Sequence, residues 1–181
     1  MDAPSTLTPA MQKFILHWGE MGDKWGINRS VAQVYALLYV GGTPLHAEHI
    51  ADTLKMARSN VSTSLRELSG WGIIRMVHRV GDRRDHYETL TDPWETLDRV
   101  LEERRRREIE PTIRVLGECI DEAKKNPRES GVVAARLGEL RDMIMQGDAI
   151  CTSIRKMPRD SLMAVLKAGS KWGKLLGVGQ S

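Results

Sequence analysis

The stretch 58–90 constrains the fold most, because the spacing of its apolar residues changes from helical to strand-like partway along it. Val61, Leu65 and Leu68 recur at i, i+4 and i+7, so they share one side of a helix. The residues that follow, 73–90, have the character of two strands joined by a glycine turn. The stretch therefore predicts a helix followed by a two-stranded β-hairpin.

Capping and turn signals divide the rest of the chain into further helices. Thr8-Pro9 begins the first, since proline is tolerated at the first helical position. Gly41-Gly42 ends the second helix, and Thr43-Pro44 opens a short third one. The predicted helices cover residues 8–21, 28–41, 43–54, 58–69, 93–125, 129–155 and 160–176.

The order of these elements is that of a winged helix-turn-helix, in which two short helices separated by a tight turn precede a two-stranded β wing. We therefore predict a mainly α fold with a DNA-binding winged helix-turn-helix domain over residues 28–92. The N-terminal helix, within 1–27, is assigned to dimerisation, and residues 93–181 to a helical dimerisation and effector region. One winged helix covers only a few base pairs, so the additional helices are expected to form a dimerisation bundle.

The net charge of the chain is only +3, but its distribution is uneven. Residues 55–90 carry seven basic and four acidic side chains, and residues 155–181 carry six basic and one acidic. The arginine run 104–107 lies among glutamates and is interpreted as a solvated, ion-paired helix face. The surplus at the helix and hairpin points to an anionic partner.

The exposed face of the predicted 58–69 helix offers short polar and basic side chains to a DNA groove. Hydroxyl and amide groups allow close approach to base edges, and arginine reaches phosphates or guanine edges. The basic tip of the hairpin suits a minor groove, whose negative potential attracts arginine. The candidate DNA-binding residues are Arg58, Ser59, Asn60, Ser62, Thr63, Arg66, Arg79, Arg83, Arg84 and His86.

Four segments of the chain carry a family resemblance. They are Asn60-Val61-Ser62-Thr63-Ser64-Leu65-Arg66-Glu67-Leu68, Trp71-Gly72-Ile73-Ile74-Arg75, Gly81-Asp82-Arg83-Arg84-Asp85-His86-Tyr87 and Asp92-Pro93-Trp94-Glu95. Together they resemble the GbsR branch of the MarR-type transcriptional regulators. The resemblance implies a homodimeric bacterial repressor, with a recognition helix over 58–68 and a wing around Arg83. The chain departs from these relatives at Ala57, where they usually offer a capping serine or threonine; losing such a cap costs about 1 kcal/mol.

The predicted function is that of a cytoplasmic, sequence-specific transcription regulator that binds double-stranded DNA as a homodimer, with repression expected from the resemblance. A symmetric dimer places its recognition helices about 10 base pairs apart on a pseudo-palindromic operator. Two alternatives stay open. The winged helix could make protein contacts in an adaptor, or the basic C-terminal helix could bind a membrane surface in a peripheral membrane protein.

A small-molecule effector is expected from the resemblance, because members of that branch sense choline. Trp18, Trp25, Tyr87 and Trp94 are candidates for an aromatic cage around a quaternary ammonium ion. The alternative interpretation is that these aromatic side chains pack in the core or in the dimer interface. The sequence does not identify the effector.

The remaining histidines, cysteines and sequence motifs do not predict a metal, cofactor or catalytic site. His46 and His49 could share a metal on one helix face, but the sequence offers no third ligand. Cys119 and Cys151 form no CxxC pattern and are interpreted as small buried residues. No phosphate-binding glycine loop or GxSxG motif occurs, so an enzyme is not predicted. No signal peptide or apolar run of about 18 residues is present, so no membrane partner is expected.

Overall fold

The computed structural model describes residues 7–127, 129 and 131–175, without the side chains of residues 166 and 169–175. The chain divides into two compact units, Met1–Glu103 and Arg104–Ser181. The first unit contains α1 (Pro9–Lys24), α2 (Arg29–Gly41), β1 (Leu45–His46), α3 (Ala47–Leu54), α4 (Arg58–Gly70), β2 (Ile74–Arg79), β3 (Asp82–Thr89) and most of α5 (Pro93–Arg104). The predicted mainly α, winged helix-turn-helix class is confirmed.

Capping groups fix where the first helices begin and end. The Thr8 hydroxyl accepts a hydrogen bond from the Met11 amide at the start of α1, and the Asn28 side chain accepts one from the Ser30 amide at 2.8 Å before α2. Gly42 ends α2 in the left-handed conformation, with φ at +63°. The sequence predicted these three boundaries correctly.

A shared apolar core holds the first unit together. α2 lies at its centre, with every residue from Val31 to Leu38 buried. The apolar face of α4, including Leu65 and Leu68, packs into the same core, as its spacing predicts. α1 approaches α2 closely because it presents glycine there: a Cβ at Gly22 would lie 2.5 Å from the Cβ of Ala32. The core thus fixes α4 from its inner side and leaves its outer side to solvent.

The β-sheet has three antiparallel strands in the order β1-β3-β2, where the sequence predicted a two-stranded wing. His46 of β1 and Val77 of β2 both pair with His86 of the central strand β3. The sequence predicts that Leu45–His46 belongs to the first turn of a helix, but it is extended and α3 begins only at Ala47. A strand of two residues is too short to show a period of two, so its pairing with a distant strand had no local signal.

Two turns also differ from the predicted ones. Gly70 is the last residue of α4, as predicted, but it does not take the left-handed conformation expected there; Gly72 does, with φ at +69°. β3 begins at Asp82 rather than at His86, so Arg83 and Arg84 are strand residues. The basic side chains are therefore fixed by the sheet instead of by a loop.

The second unit consists of helices. A π-helical segment, Arg105–Ile109, and then α6 (Glu110–Lys125) replace the uninterrupted helix predicted for this part of the chain, and α7 (Val132–Lys156) and α8 (Arg159–Leu175) follow. One arginine of the run is ion-paired, as predicted: Arg105 Nε lies 2.9 Å from Asp148 Oδ1. This pair joins Arg105 to α7 and its side chains are only 30% and 17% exposed, so it differs from the solvated face that was predicted.

Several other predictions fall in this unit. Both cysteines were expected to be buried, but Cys119 is only half-buried and Cys151 is exposed, so the prediction is wrong for Cys151 and holds only in part for Cys119. The basic C-terminal helix is observed as α8, although the side chains of Lys171, Trp172 and Lys174, on which its predicted amphipathic character depends, lie outside the described residues. Within the described part of the chain, no helix is both long and apolar enough to cross a membrane.

Candidate nucleic-acid interface

α4 presents a polar outer face whose composition matches the predicted recognition helix. Val61, Leu65 and Leu68 are anchored in the core together with the buried Ser64, so the opposite side of the helix faces solvent. All six candidate DNA-binding residues of this helix are exposed: Arg58, Ser59, Asn60, Ser62, Thr63 and Arg66. Side chains of this size let a helix approach base edges closely.

The start of α4 is held by an ion pair instead of a side-chain cap. Ala57 provides no capping hydrogen bond. The Nη1 atom of Arg58 lies 3.2 Å from Oε1 of Glu48 on α3, and the two side chains are 78% and 50% exposed. An ion pair this exposed contributes at most about 1 kcal/mol, so a phosphate can compete with Glu48 for the arginine.

The wing carries two arginines at its tip. Arg79 ends β2 opposite Asp82, and Gly81 makes the turn with φ at +85°. Arg79 and Arg83 are exposed. Neither of them, nor Arg66 of α4, has an ion-pair partner among the residues that the structure describes. Their charge is available to an external anion.

Arg84 is held differently, by a two-pronged ion pair with Asp82. Its Nε lies 2.8 Å from Asp82 Oδ1 and its Nη2 lies 2.6 Å from Oδ2, while its backbone amide donates to Oδ1 at 3.0 Å. Hydrogen bonds from the Arg84 side chain and backbone hold the pKa of Asp82 well below its usual range. The guanidinium therefore has a defined orientation on the strand.

His86 is the one candidate residue that the structure removes from the surface. Its side chain was expected to contact DNA, but the residue is only 2% exposed, so it has no surface to present to a phosphate. The ring lies beneath the wing, where Nδ1 donates to the Arg84 carbonyl at 2.9 Å and Nε2 lies 3.5 Å from Asp82 Oδ2. Its neighbours along the chain are charged, so the sequence did not indicate that this position is buried.

Two further histidines lie beside His86. The ring of His46 meets that of His86 edge-on with centroids 5.5 Å apart, and its Nδ1 accepts a hydrogen bond from the His49 amide at 3.2 Å. Burial and the nearby positive charge of Arg84 lower the pKa of His46. As for the metal considered at His46 and His49, no group of three or more metal-ligating side chains occurs among the described residues.

An apolar pocket of about 470 Å³ lies in the first unit, between α1, α2, the end of α4 and the start of α5. Trp18 and Trp25, two of the predicted cage residues, line it with ring centroids 6.0 Å apart and nearly perpendicular planes. The other two, Tyr87 and Trp94, do not line it. Of the eight aromatic side chains that the structure describes, six do: Phe14, Trp18, Trp25, Tyr35, Tyr39 and Trp71. Separate elements contribute them, so sequence spacing alone did not reveal the group.

Comparisons with known proteins agree with this geometry. Residues 25–85, about a third of the chain, match the family model described as MarR family. A solved structure of a transcriptional regulator has 23% sequence identity and a TM-score of 0.55, covering 81% of this chain and 96% of that chain. A mutant of S. aureus MepR has 16% identity and a TM-score of 0.36, covering 92% and 90%. No curated protein matches the chain. The match over residues 25–85 agrees with the MarR-type part of the resemblance for that segment, and the GbsR branch stays a prediction.

Proposed function

We propose that this chain, whose residues 25–85 match the MarR family model, is a sequence-specific DNA-binding transcription regulator that represses by occluding a promoter as a homodimer. The observation that carries the proposal is the combination of a polar, exposed face on α4 with exposed arginines on the adjoining wing. α4 would enter the major groove and read base edges. The wing would follow the backbone into the neighbouring minor groove.

The two surfaces make separable contributions to DNA binding. We expect Arg83→Ala with Arg84→Ala to weaken binding to every duplex and to reduce the slope of log affinity against log salt by about 0.9 for each phosphate that the variant no longer neutralises. Asn60→Ala or Thr63→Ala should instead change which sequence is preferred. Fluorescence anisotropy with labelled duplexes, measured over a salt series, distinguishes the two effects.

A charge-matched control is available in α6. Lys124→Ala with Lys125→Ala removes an adjacent basic pair of equal charge, so it should leave the salt slope unchanged if the wing makes the contacts. If the wild-type protein does not bind promoter DNA at low salt, the proposed DNA-binding function is wrong. Capture of a protein partner through α4 would then favour the adaptor, and loss of vesicle binding on deletion of residues 155–181 would favour the peripheral membrane protein.

The homodimer is supported by an uncovered apolar stripe on α7. Val133, Leu140, Met143, Ile150 and Ile154 are all exposed, and they recur at intervals of 7, 3, 7 and 4 residues. They occupy a and d positions of a heptad repeat, with Arg136 and Gly147 at the other two positions of that register, and in coiled coils such positions pack against the same positions of a second helix. A second copy of α7 offers the matching surface. We assign the dimerisation role to this part of residues 93–181.

Substitutions on the stripe test the homodimer. We expect Met143→Glu with Ile150→Glu to convert a dimer into a monomer in sedimentation velocity, because carboxylates would have to be buried at the seam. Met145→Glu is the matched control, since Met145 is exposed on the same helix but off the stripe. A double variant that sediments as the wild-type dimer would place the interface elsewhere.

The aromatic pocket is the proposed effector site, and its lining fits a quaternary ammonium ion. The rings of Trp18 and Trp25 meet edge to face and both line the pocket, so they supply aromatic surface that can attract a cation bound there. Among the described residues, none that lines the pocket is charged, so the attraction would come from the rings. Leu68 and Trp71 at the end of α4 also line it, which gives a bound molecule direct contact with the recognition helix.

A titration monitored by tryptophan fluorescence tests the effector class. Choline should bind, and its neutral isostere 3,3-dimethylbutanol should bind much more weakly, because only the cation gains from the rings. Trp25→Leu should abolish the difference between the two. Equal binding of both molecules would instead assign the pocket to uncharged apolar ligands.

A further inference from the structure

Glu48 on α3 interacts with arginines from two other elements of the candidate DNA interface. Its Oε1 lies 3.2 Å from Nη1 of Arg58, the first residue of α4. Its charge also acts on Arg84 of β3: the pKa of that guanidinium is raised mainly by Asp82, and Glu48 adds to the rise. A carboxylate thus lies among the basic groups that are proposed to meet DNA phosphates.

The pair between Arg58 and Glu48 is looser than the pair that Arg84 makes in the same interface. Arg84 Nη2 and Asp82 Oδ2 are 2.6 Å apart, and their side chains are 53% and 24% exposed. The side chains of Arg58 and Glu48 are farther apart and are 78% and 50% exposed. Water and salt ions reach such a pair freely, so it contributes little stability and exchanges readily with other ions.

We propose that Glu48 limits the affinity of the protein for DNA, because it competes with the phosphate backbone for Arg58. The inference rests on the proposed function. Carboxylate and phosphate oxygens accept hydrogen bonds from the same guanidinium group. Arg58 begins the helix whose exposed face is proposed to enter the major groove, and groups at the N-terminus of a helix are commonly used to contact phosphates.

The competition affects both the strength of DNA binding and its dependence on salt. The ion pair stabilises the free protein and must break before Arg58 binds a phosphate. The carboxylate that is left beside this phosphate attracts a cation from solution, which offsets the cation that the phosphate releases. A neutral side chain at position 48 should therefore increase the affinity and also make it more sensitive to salt.

Glu48 also has a structural role, and the effect of that role on stability has the opposite sign. The residue lies in the first turn of α3, where the positive end of the helix dipole favours a carboxylate. Glu48→Gln should therefore slightly lower the melting temperature while it raises the affinity for DNA. A folding defect cannot account for such a gain in affinity.

Glu48→Gln in the full chain tests the competition, with a promoter duplex and a scrambled duplex of equal length followed by fluorescence anisotropy over a salt series. We expect the affinity for both duplexes to rise by the same factor, about three- to fivefold. The slope of log affinity against log salt should steepen by up to about 0.9, the value for one phosphate contact.

Asp52→Asn is the matched control, because it removes the same charge from an exposed position four residues further along α3. No ion pair involves Asp52 among the residues that the structure describes. Its effect should be limited to screened repulsion of the DNA, a gain of no more than about 1.5-fold. In an Arg58→Ala background, Glu48→Gln should also give no more than this smaller gain, because the arginine that it releases is absent.

Four results would contradict the inference or its premise. Unchanged or lower affinity in Glu48→Gln would overturn it, because Glu48 would then orient Arg58 towards DNA instead of competing for it. A gain confined to one duplex would overturn it too, since phosphates are common to both. An equal gain from Asp52→Asn, or an undiminished gain without Arg58, would assign the effect to net charge alone. If neither the wild type nor Glu48→Gln binds DNA, the proposed function itself is wrong.

Discussion

The two units of the chain bury their apolar side chains to different extents. In the first unit, α2 is buried along eight consecutive residues, and α1, α3, α4 and the sheet contribute to the same core. Among the described residues of the second unit, the buried apolar side chains are those of Ile120, Ala123 and Ala134. α7 in the same unit exposes a stripe of valine, leucine, isoleucine and methionine over most of its length.

This difference indicates that the units depend on different interactions. The first unit buries its apolar side chains within one chain, so its stability should not depend on a second protomer. An uncovered heptad stripe gains little from one chain alone, since helices of this kind are stabilised mainly by packing their apolar face against a partner. The winged-helix domain and the proposed dimerisation region should therefore respond differently to mutation and to dilution.

Truncation of a core residue of the first unit should have the largest effect. Leu68 is 1% exposed. We expect Leu68→Ala to lower the free energy of unfolding by about 3 kcal/mol, because it removes buried methyl groups and leaves a cavity. The decrease should be the same at every protein concentration. Thermal and urea unfolding over a dilution series measure it.

Leu140→Ala on α7 is the matched change in the second unit. Leu140 is 43% exposed, so truncation should cost a single protomer less than about 0.5 kcal/mol. The decrease in stability should grow only at concentrations where the wild-type protein is dimeric. If Leu140→Ala were as destabilising as Leu68→Ala at high dilution, the stripe would belong to a core within one chain and the contrast between the units would fail.

The sequence predicted the parts of the first unit that depend on local patterns. The apolar spacing of α4, the capping groups of α1 and α2 and the glycine turn of the wing each act within a few residues, so each left a readable signal. The exposed face of α4 followed from the buried one, because a helix that anchors Val61, Leu65 and Leu68 on one side must present its opposite side to solvent.

The features that the sequence did not predict depend on contacts between distant segments. β1 exists because Leu45 pairs with Tyr87, and the pocket exists because four elements converge. His86 was assigned to the surface because its neighbours are charged. Its burial follows from pairing with His46 on one side and Val77 on the other, which no window along the chain could indicate.

The stability of the first unit should depend on pH through His46, which lies on β1 of its sheet. Burial and the charge of Arg84 lower the pKa of His46 in the folded protein. Below the ordinary histidine pKa of about 6.5, His46 is therefore protonated to a greater extent in the unfolded chain than in the folded protein. This contribution to stability is present above that pH and is lost as the pH falls through it. We expect His46→Asn, whose side-chain oxygen can still cap α3, to reduce the fall in unfolding free energy between pH 7.5 and 5.5.

Urea unfolding of the wild type and His46→Asn at both pH values gives the comparison. Other groups titrate in this range in both proteins, so the informative quantity is the difference between the two at each pH. A difference that does not change with pH would mean that His46 binds protons equally in the folded and unfolded states.

A stabilising change is expected at the start of α4, which lacks a side-chain cap at Ala57. Its backbone there is extended, with φ at −62° and ψ at 140°, the conformation in which a serine hydroxyl reaches the free amides of the first turn. We expect Ala57→Ser to raise the free energy of unfolding by about 1 kcal/mol. Ala57→Val is the control, because valine has no acceptor and should give no such gain. Equal stabilisation by both would show that the hydroxyl is not responsible, and no gain from either would mean that core packing alone determines where this helix begins.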